Sequence, residues 1–141
     1  MTSSRMGRRY IEEARGRIEL VKLAFERSLW ATVVRESQEC LELLLKGTLR
    51  LVAVEPARTH DVAELLHREA GRFPDWFQSE IAYLASISTE MAGDRGLAFY
   101  GDERQNISPH DLFDASDAER ALQNLEYAAA LCFRLLDATP G

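Results

Sequence analysis

ATVVRESQECLELLLKGTLRLVAVEP, residues 31–56, is the stretch on which the fold turns. Val33, Cys40, Leu44 and Leu51 fall in one row at helical spacing, and Val34, Leu41, Leu45 and Val52 form a second row beside it. Two adjacent rows make the helix apolar over more of its girth than a surface helix needs, so it packs against several neighbours at once. Either it is the central helix of a bundle, or it turns part of itself to another subunit. Pro56 ends it.

On its N-terminal side, Ile11, Ala14, Ile18, Val21 and Phe25 recur in steps of three and four, with Glu12, Glu13, Arg15, Glu19 and Lys22 on the other face. This periodicity predicts a helix over about residues 6–28. On its C-terminal side, ARTHDVAELLHREAG reads as a short helix, with Thr59 as N-cap, Asp61 near the positive end of the dipole and Gly71 as the stop. A fourth helix is predicted from Pro74, which suits a first turn. It carries Trp76, Phe77, Ile81, Leu84 and Ile87 and runs to Tyr100, with a possible break at Gly93 and Gly101 as its end. The last helix opens on Ser116-Asp117-Ala118-Glu119, the spacing of a capping box, and buries Leu122, Leu125, Ala129, Cys132 and Leu136. No strand pattern or repeat competes. The expected fold is all-α: an antiparallel four-helix up-down bundle with one additional short helix, as a single domain over residues 1–141.

A chain of 141 residues with 46% apolar side chains buries a core without staples. Cys40 and Cys132 lie far apart in apolar helical patterns, which reads as buried free thiols in a reducing compartment. The first residues, MTSSRMGRRYIEEARGR, hold no apolar run and no small-residue cleavage site, and no stretch is apolar enough to span a membrane. A cytoplasmic location is expected. The net charge of −6 disfavours a general field for nucleic acid. Arg5, Arg8, Arg9, Arg15 and Arg17 nevertheless crowd the first helix, as a local phosphate-facing patch or as a solvated face paired with Glu12, Glu13 and Glu19.

SQECLELLLKGTLRLV in the second helix, THDVAELL at the third, AFYGDERQNISP after the fourth and DASDAERALQNLEYAAALCFRLL at the end follow one another in an order that resembles the HEPN (higher eukaryotes and prokaryotes nucleotide-binding) domain family. The resemblance covers nearly the whole chain. It implies a helical bundle that dimerises through a large apolar face, here a homodimer. It also implies a toxin–antitoxin-type setting, with a minimal nucleotidyltransferase as partner and RNA or a nucleotide as ligand. Many members of the family are metal-independent ribonucleases that use an Arg, four to six residues, and a His. Others lack that motif and act as binding or partner modules.

Arg104 and His110 satisfy that spacing. A His exchanges protons near neutral pH, and an Arg holds phosphate oxygens in a fixed fork, so the pair suits cleavage by a 2′-hydroxyl without metal. Tyr100, Asn106 and Arg95 are the supporting candidates, and Tyr100 the first suspect for modification by a nucleotidyltransferase. Against this, Gln105 follows the Arg where the family more often has Asn, Asp or His. Pro109 also biases Ser108 away from helix, which favours reading the segment as a turn into the last helix. Three function classes stand: a binding module, a metal-independent endoribonuclease, and a structural bundle. His60-Asp61 reads as a helix start. Glu39, Glu42 and Lys46 read as helix support or as the wall of a ligand groove, with Glu42 and Lys46 in the favourable i,i+4 order. His67 has no metal-ligand spacing around it, and neither a metal nor a cofactor is expected.

Overall fold

In the computed structural model, which describes residues 3–141, the helices are α1 (Ser3–Glu26), α2 (Trp30–Leu51), α3 (Ala63–Arg68), α4 (Asp75–Gln78), α5 (Ile81–Tyr100), α6 (Pro109–Leu112) and α7 (Ala115–Ala138), with a 3₁₀ turn at Ala70–Arg72. Four are long and form the expected antiparallel bundle. Among the described residues there is no strand, only one antiparallel bridge between Asp102 and Ile107.

The double apolar row of α2 does what its width predicts. Twelve of its residues are buried, and the helix packs on α1, α5 and α7 together. Side-chain pairs give the directions. Arg17 near the middle of α1 reaches Glu36 and Glu39 in the first half of α2, whereas Gly7 meets Gly47, so these two helices run antiparallel. Arg8 of α1 donates to the carbonyl of Thr139 beyond α7, and Tyr83 of α5 donates to Asn124 of α7, so those neighbours are antiparallel too. The parallel diagonal α2–α7 is in close contact, so the bundle is flattened with α2 at its middle.

The α1–α2 crossing depends on two glycines. A methyl group on Gly7 would lie 2.5 Å from the Gly47 carbonyl oxygen, and one on Gly47 would lie 2.7 Å from Ile11. α1 and α2 both end with a left-handed residue, Ser28 at φ 59° and Ala53 at φ 65°. In each case the next amide bonds back five residues, Leu29 to Ala24 and Val54 to Leu49, which closes the last turn.

Five local expectations are corrected. The predicted fourth helix is two helices, α4 and α5, parted at Ser79–Glu80. Gln78 Nε2 donates to the Phe73 carbonyl and Ser79 Oγ to that of Trp76, side-chain bonds that compete with helix continuation. α5 does not break at Gly93 but runs on to Tyr100. The capping box of α7 is Asp114 with Asp117, not Ser116 with Glu119: the Asp114 carboxylate accepts from the Asp117 amide, and that of Asp117 accepts from the Asp114 amide. At α3, Thr59 does not cap, since its hydroxyl donates to the Asp61 carbonyl. The Asp61 carboxylate accepts from the Ala63 amide, Ser88 and Thr89, tying the loop to α5. Gly71 lies inside the 3₁₀ turn.

Candidate functional site

The polar side chains of α2 that escape the core converge with α1, α5 and the loop before α3. Gln38, 2% exposed, is the pivot. Its amide oxygen accepts from Arg95 at 2.7 Å, and its amide nitrogen donates to Glu42 at 3.1 Å. Glu42 also accepts from Lys46 at 2.8 Å and pairs with His60 Nδ1 at 2.8 Å. Burial pushes the Glu42 carboxyl up, but the bonds from Lys46, His60 and Gln38 outweigh it and hold the group below its ordinary value. Glu39 accepts from Arg17 at 3.3 Å and from Arg95 at 3.5 Å. Gln38's charged neighbours, Arg17, Glu39, Glu42, Lys46, His60 and Arg95, with Tyr10 and Leu43, wall a cavity of about 310 Å³.

This polar groove adjoins an apolar shelf. His60 and Arg95 also border a concavity of about 520 Å³ whose other walls are Ala92, Gly96, Phe99 and Tyr100. The Phe99 and Tyr100 rings lie 4.5 Å apart and are 51% and 65% exposed. Phe99 in turn borders a third concavity, of about 280 Å³, shared with Leu29, Trp30, Arg35 and His110. From Lys46 to Arg35 the three hollows follow eleven residues of α2, about 16 Å at helical rise.

The expected motif residues divide along this face. Arg95 lies in the groove and Tyr100 on the shelf. Gly101, at φ 78°, turns the chain out of α5 into a small hairpin closed by two backbone bonds between Asp102 and Ile107, of 2.8 and 3.0 Å. Arg104 sits on that hairpin, exposed and without a hydrogen bond or ion pair, and Asn106 occupies a left-handed position at φ 57°. His110 lies beyond it in the first turn of α6, in the hollow with Arg35. His110 and Arg35 thus line one hollow, and no hydrogen bond joins His110 to Arg104.

Two further basic residues of α1 are spent on structure: Arg15 stacks over Phe133 at 4.2 Å and Arg8 bonds the end of α7. Both thiols are buried. Burial pushes Cys40 up to about 11 although Arg17 pulls it down, and burial raises Cys132 further. Among the described residues, no helix is long and apolar enough to cross a membrane, and no three His, Cys, Asp or Glu side chains group as a metal site.

Residues missed by spacing alone are Gln38 and Arg35. A glutamine inside the apolar rows of α2 was the one available signal, since a buried amide needs partners. No curated protein and no solved structure matches the chain significantly. The family described as the HEPN domain matches residues 8–133, most of its length. With α1, α5 and α7 packed around an over-apolar α2, the chain belongs to the HEPN domain family.

Proposed function

We propose that this protein is a nucleotide- or RNA-binding HEPN module of the toxin–antitoxin type, acting as a homodimer beside a minimal nucleotidyltransferase. The observation that carries this reading is the continuity of the charged groove with the Phe99–Tyr100 shelf. Arg95 Nη1 is held by Gln38 and Glu39, which leaves its other donors for a phosphate. Beside it, two exposed rings offer the π-faces on which bases stack. Glu39 and Glu42 in the same groove oppose a long polyanion and favour a short ligand, in line with the net charge of −6.

The test is fluorescence anisotropy with short single-stranded RNA and a panel of nucleotides on wild type, Arg95→Ala and Tyr100→Ala. Each substitution is expected to weaken binding about tenfold, stacking alone contributing about 1–3 kcal/mol per base. Equal binding by all three proteins, or no saturable binding by the wild type, would sink the reading. Sedimentation reads the oligomeric state, and a strict monomer contradicts the dimer.

A second reading, a metal-independent endoribonuclease using Arg104 and His110, draws support from the exposure of both side chains and the unpaired state of Arg104. Its test is metal-free cleavage of mixed cellular RNA by wild type and His110→Ala. Cleavage lost in the variant supports it, and no cleavage by folded, dimeric wild type removes it.

A further inference from the structure

The third hollow holds a guanidinium that its own fold leaves underused. Arg35 has five N–H donors and one hydrogen bond, from Nη2 to Glu36 Oε1 at 3.1 Å. Its Nε is buried with no partner. The guanidinium carbon stands 4.9 Å from the centre of the Phe99 ring, which orients the plane without consuming donors. Glu36, the one carboxylate paired with it, is shared: its Oε2 accepts from Arg17 at 3.1 Å, which Glu39 also answers at 3.3 Å.

Three further features of the same hollow favour an anion. His110 lines it from α6. The 22-residue α2 begins there, and Leu29, Trp30, Ala31 and Thr32 are in its wall. That helix start has neither a side-chain cap nor an acidic residue in its first turn, so the amides of the first turn present an uncompensated positive end. No carboxylate lines the hollow, in contrast to the groove around Lys46.

We infer that the hollow between the start of α2, the end of α5 and α6 is a phosphate-monoester site, with Arg35 as its fork and His110 and the α2 amides as further donors. The ligand is a terminal phosphate, free or at the end of a nucleotide chain. At about 280 Å³ the hollow takes the phosphate and the first sugar, with Trp30 and Phe99 as apolar walls. This site is separate from the groove around Arg95 and does not depend on what the groove binds.

Isothermal titration with orthophosphate, a 5′-phosphorylated RNA trinucleotide and the same trinucleotide with a 5′-hydroxyl tests it. Wild type is expected to bind both phosphate probes, and Arg35→Gln to weaken both at least tenfold. His110→Gln, on an exposed residue, weakens them several-fold without loss of folding. Arg134→Gln is the control, because Arg134 also stacks on a ring, that of Trp76 at 3.9 Å, but elsewhere. Trinucleotide binding well above orthophosphate assigns the site to a chain end, and comparable binding assigns it to free phosphate. Equal affinity of folded Arg35→Gln and wild type overturns the inference. So does a 5′-hydroxyl trinucleotide that binds as well as the phosphorylated one, or a wild type that binds no phosphate at millimolar concentration. Loss of nucleotide binding in Arg95→Ala with the phosphate response intact separates this site from the groove.

Discussion

Replacing Gly101 with alanine tests how the hairpin after α5 is held. Gly101 has φ 78° and ψ −167°, a region open almost only to glycine, where another residue costs about 1–3 kcal/mol in backbone strain. The added methyl would also collide with the Ile107 carbonyl oxygen and stand 3.0 Å from the Pro109 ring. That oxygen belongs to the backbone and accepts from the Asp102 amide, so it cannot rotate aside. The chain must therefore keep the strain and the clash, or open the hairpin. Opening forfeits the two bonds between Asp102 and Ile107, each worth about 1 kcal/mol net. The smaller loss prevails, so the variant should be destabilised by about 2 kcal/mol with the bundle intact. Urea denaturation should show a lower midpoint with an unchanged slope, and hydrogen exchange should show lost protection at the Asp102 and Ile107 amides alone. Wild-type stability with both amides still protected would refute the reasoning.

Gly7→Ala should cost about 1–2 kcal/mol in thermal or urea unfolding. The roughly 1 kcal/mol gained in helix propensity is outweighed by overpacking against the Gly47 carbonyl and Arg50. Glu42→Gln should cost about 2 kcal/mol at neutral pH, because Lys46, His60 and Gln38 all bond a carboxylate. The folded-state pKa of Glu42 is depressed, so the stability it lends is present above the unfolded pKa and lost as pH falls through the folded one. Urea melts of the two proteins should accordingly converge as pH falls below the ordinary carboxylate range. Asp114→Ala should lower the thermal midpoint and Ser116→Ala leave it almost unchanged; the reverse order would restore the other capping box. Cys40 and Cys132 should react with an aromatic disulfide only as fast as the protein opens, and prompt labelling at neutral pH would contradict their burial.

The long helices were legible because each repeats an apolar stripe often enough to show its period. The parting of α4 from α5 was not, because Trp76, Phe77, Ile81 and Leu84 keep helical spacing across it while the break comes from bonds by Gln78 and Ser79. The cap of α7 was ambiguous because two overlapping quartets satisfy one pattern, and the earlier one, with Asp at both ends, forms. The site was harder to read. Arg95 and Gln38 are 57 residues apart and His60 and Glu42 are 18 apart, so no local spacing announces them. Arg104 and His110, close in sequence, fall on different elements, because Gly101 turns the chain into a hairpin that holds the first while Pro109 starts a separate helix for the second. A linear motif reports neighbours along the chain, and this site is made of neighbours across a bundle.

The diagonal packing of α2 on α7 also bears on how the protein is made. α2 leaves the ribosome long before α7, and its partner α1, already out, covers only one side. The flank that α7 will cover, where Val34 shares a hollow with Ala121 and Asn124, waits through the synthesis of everything between. Nascent chains in that interval carry an exposed oily surface of the kind that chaperones hold and that stalled chains aggregate through. A ribosome paused before residue 115 would thus release a sticky fragment rather than a shorter bundle.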